Sequence, residues 1–404
     1  MTLAPSEVFL PTLPGRYYTD PGVFDQELRN IFSRQWVYVC RAEEVPDPGR
    51  FVRASLGHEN VIVVRGRDQR LRAFLNVCRH RGSTLCLTDS GDVGRSIRCP
   101  YHSWTYRLDG SLMSAPNWRS MEAADKAGYG LHPVHLAEWH GLIWLNLAEY
   151  PEPLEEQLGP QLDFRLGGDR AKFARYNLSG LVTGQRVEYT VAANWKIIME
   201  NFQECYHCST IHPELVGTLP QFRNLAGGPA RYDIDGYYFA EDKISFSVSG
   251  ETILPRLPGL EDHDDRKYYG MVIRPNCFLS LLPDHVIAHR FQPVSPEVTT
   301  VACEWLFPPE TVAGHDLGDT VELFHRVNQQ DFAASEWCQP NMRSRAYAAG
   351  GVLVPTEQEI IGRWYYGWYR ESMELGEATS MITGSSDRIA TRTARDHEAS
   401  PSRA

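Results

Sequence analysis

The 404-residue sequence lacks several features that would place it in common protein classes. No run of about eighteen uncharged apolar residues occurs, so no transmembrane helix is expected. The N-terminal stretch has no basic start followed by an apolar segment, so it does not predict a signal peptide. No basic stripe is present and the formal net charge is −11, which disfavours non-specific binding to nucleic acid or to anionic membranes.

Cysteine is sparse and unevenly distributed. The nine cysteines are an odd number without a secretory signal, which argues against a disulfide framework and favours a cytoplasmic location. Some of these thiols are then free to bind metal. The chain also lacks internal repeats and a GxGxxG motif between a strand and a helix, so no dinucleotide is expected to bind it.

The distribution of apolar residues predicts an α+β protein with antiparallel sheets. Short apolar runs separated by Gly, Asp and Pro predict a small antiparallel β domain, and alternating runs near residues 285–307 predict a second sheet. A long helix is predicted over 317–348, interrupted near Pro340. We divide the chain into four parts: a helical segment (1–36), a β domain (37–150), a second domain (151–375) and a polar, mobile tail (376–404).

The β domain contains two loops that each provide one cysteine and one histidine. Cys78 and His80 are separated by one residue, and Cys99 and His102 by two. Zinc knuckles usually pair two cysteines, whereas a Rieske [2Fe–2S] cluster needs two thiolates on one iron and two imidazoles on the other. The pattern therefore predicts a [2Fe–2S] site. The alternatives are a zinc knuckle or four unrelated core residues; Cys86 falls outside the pattern and is predicted to be buried packing.

A second group of candidate ligands lies in "NWKIIMENFQECYHCSTIHPEL", residues 194–215. A five-residue step on a regular helix rotates by roughly 140°, so His207 and His212 converge only if the helix distorts or ends between them. Two histidines and one carboxylate form the facial triad of non-haem Fe(II) oxygenases. The alternative is a pair of core histidines that only form hydrogen bonds. Cys205 and Cys208 flank His207 and are interpreted as packing rather than as thiolate ligands.

The third ligand of such a triad, a carboxylate, is expected on the helix predicted over 317–348. At about 100° per residue, Val327, Asp331, Ser335 and Cys338 share one weakly polar face with Phe324. Asp331 is the acid on that face, and a buried carboxylate needs a counter-charge, which an iron ion would supply. The alternative is an aspartate that pairs with or caps a neighbour.

Three segments together resemble the α (terminal oxygenase) subunits of Rieske non-haem iron oxygenases. "CRHRG" at 78–82 and "CPYHSW" at 99–104 resemble the Rieske loops, and residues 194–213 match the pattern NWKxxxENxxExYHxxxxHP of the mononuclear iron site. "QQDFAASE" resembles the later ligand-bearing segment. The resemblance implies a β-sheet Rieske domain and a helix-grip (START-like) catalytic domain.

The resemblance also implies roles for individual residues. His207, His212 and Asp331 take the positions of the iron ligands, and Glu204 takes that of the acidic bridge. In the family, a head-to-tail homotrimer places the cluster of one subunit opposite the iron of the next, so Glu204 would link His102 to His207. Glu200 is an alternative acid near this site. The glutamate bridge is more typical of quaternary-amine demethylases and monooxygenases than of aromatic dioxygenases.

The expected function follows from these two sites. The resemblance implies a terminal oxygenase that uses O2 and electrons from NAD(P)H, delivered by a separate flavin or iron–sulfur reductase, to monooxygenate a small molecule. Oxidative N-demethylation of a betaine is the first expectation, and the aromatic run "RWYYGWYR" at 363–370 could contribute faces for a cation. The alternatives are hydroxylation or dihydroxylation of an aromatic or natural-product substrate, and a non-catalytic Rieske electron carrier.

Overall fold

The computed structural model shows an α+β fold in which every paired strand is antiparallel, and this confirms the predicted fold class. The predicted tail at 376–404 lies outside the residues that the structure describes. Those residues are 9–118, 122–223, 236–251, 254–355 and 358–374.

The N-terminal part contains two α-helices and two sheets among its described residues. In chain order its elements are β1 (Leu10–Pro11), α1 (Pro21–Asn30), β2 (Val37–Arg41), β3 (Arg50–Leu56), β4 (Glu59–Arg65), β5 (Leu71–Leu75), β6 (Ser90–Asp92), β7 (Ser96–Arg98), β8 (Thr105–Arg107), β9 (Leu112–Ser114), α2 (Ala123–Ala127), β10 (Pro133–Trp139) and β11 (Leu142–Asn146). One sheet has the order β2-β11-β10-β5-β4-β3-β6, and a smaller one has the order β7-β8-β9. The predicted [2Fe–2S] loops follow β5 and β7.

The C-terminal part is built around a six-stranded sheet. Its elements are α3 (Leu154–Leu166), α4 (Ala171–Ala174), β12 (Val182–Val191), α5 (Trp195–Asn201), α6 (Cys208–Ile211), α7 (Pro213–Thr218), β13 (Tyr237–Tyr238), β14 (Lys267–Ile273), β15 (Cys277–Leu281), β16 (Val286–Ser295), β17 (Val298–Phe307), α8 (Pro309–Gly314), α9 (Gly318–Cys338), β18 (Val352–Leu353), a π-helix (Gln358–Tyr365) and α10 (Tyr366–Ser372). The strand order is β12-β17-β16-β15-β14-β13, and β1 pairs with β18.

Short 3₁₀ helices connect several of these elements. They span Gly15–Tyr18, Ala42–Glu44, Leu178–Gly180, Pro220–Arg223, Asp262–Asp264, Gln339–Arg343 and Arg345–Tyr347. The predicted interruption near Pro340 is present, because α9 stops at Cys338 and a 3₁₀ turn follows. Proline lacks the N–H that an α-helix would need there.

The apolar periodicity of α9 places one polar side chain in the core. Phe324, Val327, Asp331 and Ser335 are buried, as the angular arithmetic predicts. Cys338 is exposed, so its assignment to the buried face is wrong. It is the last residue of the helix, where the core no longer covers that face. The helix therefore presents one acid, Asp331, to the interior of the C-terminal part of the chain.

Helix α1 is anchored to the C-terminal part of the chain by a fully buried ion pair. Asp20 caps the helix by accepting hydrogen bonds from two backbone N–H groups. Glu27 accepts from Lys196 Nζ (2.6 Å), Trp195 Nε1 (2.8 Å) and Tyr369 Oη (2.6 Å), and both charged side chains are 0% exposed. These contacts fix the N-terminal segment against α5, which begins the segment that carries the candidate iron ligands.

Residues 148–180 include two helices, α3 and α4, that the apolar pattern of the sequence did not predict. Helix α3 buries Leu158 and Leu162 against the sheet and has Pro160 in its interior. The sequence does not predict this helix, because it contains a proline and its apolar residues show only a weak helical periodicity. Among the described residues, no helix is both long enough and apolar enough to cross a membrane.

Candidate functional site

The two Cys/His loops converge in the N-terminal β domain. Cys78 and Cys99 are both 2% exposed, whereas the His80 and His102 rings lie nearer the surface. The two Nδ1 atoms are 3.1 Å apart, so both rings point the same nitrogen at one position. The loops thus present two sulfurs on the inner side and two imidazole nitrogens on the outer side, which is the donor set that a Rieske cluster requires.

The surroundings of the two sulfurs differ, because burial raises the pKa of the Cys78 thiol whereas that of Cys99 is lowered. Burial opposes ionisation of Cys99, but backbone N–H groups of His102 and Tyr101 outweigh it and lower its pKa. Tyr106 Oη lies 3.3 Å from Cys78 Sγ. The predicted [2Fe–2S] group therefore fits these residues. Cys86 is buried and apart from the pattern, as the sequence indicated.

The second candidate site brings three predicted ligands together. Asp331 Oδ1 lies 2.8 Å from His212 Nε2 and 3.2 Å from His207 Nε2. His212 is 1% exposed and Asp331 is 6% exposed. Two neutral nitrogens and one carboxylate at these separations match the facial triad that binds Fe(II) and leaves other positions open. Glu322 and Glu336 lie on the exposed side of the helix, where they contact Arg326 and the Ala192 N–H.

The remaining imidazole nitrogens are held by acceptors. His207 Nδ1 donates to Glu204 Oε1 at 2.6 Å, and His212 Nδ1 donates to Gln330 Oε1 at 2.7 Å. These bonds place the ring proton on Nδ1 and leave Nε2 as the ligand atom. Gln330 was not found from the sequence. The one sequence feature that could have indicated its role is its position directly before Asp331. That position indicates a contact with His212 only when the structure shows α9 packed beside this histidine.

The electrostatics of the site favour a cation. Burial disfavours a charged imidazole, but the Asp331 and Glu204 carboxylates outweigh it and raise the pKa of His207 to about 10. Burial likewise disfavours ionised Asp331, yet hydrogen bonds from His207 and His212 hold its pKa below the usual value. Without metal, the site therefore holds a proton between its ligands, and a metal ion would displace it.

The local chain around these ligands differs from the predicted single helix. Helix α5 ends at Asn201, residues 202–207 form a turn, and Pro213 opens α7 instead of only ending a helix. Glu204 and His207 therefore do not share a regular helical face, although they are in contact. The helix end that the five-residue spacing required is at His212, which lies between α6 and α7 with φ −119° and ψ 67°. Pro213 at the first position of α7 makes a new start favourable there.

Three further residues near this site had been considered as alternatives. Cys205 and Cys208 pack in the core, as interpreted, but their sulfurs also form a disulfide that the sequence did not predict. Cys208 Sγ lies 3.9 Å from His207 Nε2, but a disulfide sulfur is not a thiolate donor, so Asp331 is the better third ligand. Glu200, the alternative acid, accepts a hydrogen bond from Tyr18 Oη at 2.8 Å in the contact between the N-terminal segment and α5.

A cavity opens onto the triad. Its empty volume, open mouth included, is about 1340 Å³, and His207, His212 and Asp331 are among its lining residues. Nine of its lining residues are aromatic: Phe164, Phe202, Tyr206, Phe222, Tyr237, Tyr268, Phe278, Phe324 and Trp364. Of the run at 363–370, Trp364 lines this cavity, whereas Tyr365, Tyr366 and Tyr369 are core residues. Sequence reasoning missed most of this wall.

Comparison with known proteins agrees with both sites. Residues 35–130 match the family described as the Rieske [2Fe-2S] domain, and residues 178–375 match the ring hydroxylating alpha subunit (catalytic domain). The second match argues against the alternative of a non-catalytic Rieske electron carrier, because such a carrier would need only the first domain.

Two relatives and one solved structure illustrate the similarity. The glycine betaine monooxygenase oxygenase subunit of Chromohalobacter salexigens is 30% identical, with 90% of this chain and 86% of that protein aligned. The carnitine monooxygenase oxygenase subunit of Acinetobacter pittii is 29% identical, with 86% and 89% aligned. The structure of the quaternary ammonium Rieske monooxygenase CntA, 24% identical, aligns with a TM-score of 0.70 over 92% of this chain and 99% of that one, which shows the fold. The chain belongs to the Rieske non-haem iron oxygenases, as the oxygenase subunit of a system that receives electrons from a separate reductase.

Proposed function

We propose that this subunit monooxygenates a quaternary methylammonium compound, and that each predicted ligand has the role that its position suggests. Cys78, His80, Cys99 and His102 would hold the [2Fe–2S] cluster. The single observation that carries the proposal is the triad of His207, His212 and Asp331, whose ligand atoms meet at the end of an aromatic cavity.

The substrate class rests on the chemistry of the cavity together with the relatives. Aromatic faces attract quaternary ammonium groups, because the ring quadrupole interacts with a cation that needs no hydrogen bonds. Phe202, Phe278 and Phe324 lie on the elements next to the triad. The relatives named above act on glycine betaine and carnitine.

Glu204 is the proposed bridge for electron transfer between subunits. Its Oε1 accepts from His207 Nδ1, and its Oε2 accepts from the backbone N–H of Tyr206, so its carboxylate is oriented at the ligand. His102 is partly exposed and available to a neighbouring subunit. We propose a head-to-tail homotrimer in which His102 of one subunit approaches Glu204 of the next, in the cytoplasm.

The residues of this chain hold the iron ligands in place, orient the substrate and exclude water from the cavity. When bound, the cluster and the single iron supply electrons one at a time and activate O2. One oxygen atom then enters a C–H bond beside the nitrogen, and the other leaves as water after two electrons and two protons are taken up. Glu204 and Gln330 hold the two histidine rings, and the aromatic wall excludes water and orients the ammonium group. A hydroxylated N-methyl group then releases formaldehyde.

The test is turnover by the reconstituted enzyme with a surrogate reductase, NADH and O2. We expect formaldehyde, or the aldehyde from another N-substituent, when glycine betaine, carnitine or γ-butyrobetaine is supplied. Consumption of NADH and O2 with an aromatic substrate such as indole, and no product from any quaternary ammonium compound, would contradict the proposal. That result would favour the second candidate, aromatic hydroxylation, which the apolar aromatic wall could also serve.

A further inference from the structure

Arg274 is a charged residue in the cavity that the proposed chemistry does not use. It follows β14 directly, and its side chain lies among α3, the π-helix and α10. Its Nε donates to Gln161 Oε1 at 3.0 Å and its Nη1 donates to the Trp364 carbonyl at 2.8 Å. The guanidinium carbon also lies 5.3 Å from the centre of the Trp368 ring. The group is therefore held in one orientation by neutral partners.

No carboxylate forms an ion pair with Arg274 within the part of the chain that the structure describes. Its Nη2 donates no hydrogen bond to any described residue, although a guanidinium usually binds through a planar fork of donors. Desolvation lowers the pKa of Arg274 to about 10, and the electrostatic effects of Tyr365 and Glu371 offset this only in part. Arg274 is half-buried and has neutral hydrogen-bond partners, so its guanidinium can bind an acidic group that enters the cavity.

The cavity thus has two unlike regions. The triad and Glu204 lie in one, on α9 and on the turn before α6, whereas the cationic side chain of Arg274 lies on the wall formed by β14 and α3. The other arginine of the cavity, Arg165, donates to the Gly270 carbonyl. Aromatic side chains, Phe202 and Phe278 among them, line the same cavity. A molecule with a cation at one end and an anion at the other matches this arrangement.

We propose that Arg274 binds the carboxylate of a zwitterionic betaine and thereby holds its ammonium group toward the triad. Arg274 is then a specificity-determining residue that selects quaternary ammonium carboxylates over cations without an acid, such as choline. The inference rests on the proposed function, because it assigns the second half of the same substrate.

The first experiment uses the unaltered holoenzyme. Binding is measured by calorimetry without oxygen, so that no turnover follows. The ligands are glycine betaine, γ-butyrobetaine and the primary amide of each, which keeps the ammonium group but replaces the carboxylate by an uncharged group. A charge-assisted bidentate contact predicts that at least one acid binds about ten- to a hundredfold more tightly than its amide. Equal binding of acid and amide by an enzyme that demethylates either one would overturn the role of Arg274 but leave the proposed function intact.

The second experiment uses variants. Arg274→Gln should raise KM for the betaine about tenfold or more and abolish the preference for acid over amide, while the amide is bound as by the unaltered enzyme. Arg274→Lys should recover part of the preference, since it keeps the charge and loses the fork. Arg256→Gln, at an exposed arginine that pairs with Asp262 and Asp265, is the matched control and should change neither.

The outcomes separate the two proposals. If no quaternary ammonium compound binds or is turned over by the unaltered enzyme, the proposed function fails. If it does turn over betaines and Arg274→Gln retains the full preference for acid over amide, the carboxylate subsite is elsewhere. If Arg274→Gln does not fold, the comparison of acid with amide in the unaltered enzyme decides the question by itself.

Discussion

Replacing Gln330 by alanine tests whether the contacts around the triad matter for metal binding. Gln330 Oε1 lies 2.7 Å from His212 Nδ1, and it is the acceptor that keeps this ring's Nε2 directed at Asp331. His212 is 1% exposed, so bulk water cannot readily replace the lost acceptor. The variant therefore leaves a buried N–H without its partner and a ring with more rotational freedom, while all three ligand residues stay in place.

The expected loss is moderate. Removing the partner of a metal-bound histidine typically weakens metal binding by about 10- to 100-fold, which corresponds to about 1.4–2.8 kcal/mol. Complete loss of iron is not expected, since His207 keeps its bond to Glu204. The predicted order of Fe(II) affinity is thus unaltered protein first, Gln330→Ala second and a variant without Asp331 last.

The assay is competition for Fe(II) between the protein and a chelator under anaerobic conditions. The visible spectrum of the cluster, which is bound by the other domain, serves as an internal reference for intact protein. Gln329→Ala is the matched control, because Gln329 is the same residue type on the exposed side of α9. If Gln330→Ala bound Fe(II) as tightly as Gln329→Ala, the reasoning from the His212 contact would be refuted.

Three further variants test other parts of the structure. Asp331→Ala should remove the mononuclear iron and turnover but leave the cluster spectrum unchanged; retained iron by metal analysis would mean that another acid is the ligand. Glu204→Gln should keep both metal sites and slow reoxidation of the reduced cluster in single turnover, and an unchanged rate would rule out Glu204 as the bridge. Lys196→Met leaves Glu27 buried without its cation, which should cost about 3–5 kcal/mol and lower the apparent Tm. The double variant with Glu27→Gln should recover much of that loss, and equal Tm values for all three proteins would contradict the argument.

The candidate metal ligands could be predicted from the sequence, because they are either close together in the chain or placed by the regular period of a helix. Cys78 with His80 and Cys99 with His102 lie within three residues of each other, so their spacing survives any loop conformation. Asp331 was found by the angular period of α9, which holds because that helix is regular from Gly318 to Cys338. The same arithmetic failed for Cys338, since it describes direction around a helix and not how far the core extends along it.

The sequence by itself determined the residue types and their order: two Cys/His loops, two histidines five residues apart, and one acid on the buried face of a helix. Only the tertiary structure decided that the helix breaks at 202–207, that Cys205 and Cys208 join, and that Gln330 supports His212. It also decided that α3, β14 and the π-helix bring Gln161, Arg274 and Trp364 to one cavity wall. These contacts join residues up to 118 positions apart, and no local pattern records which distant side chains pack against each other.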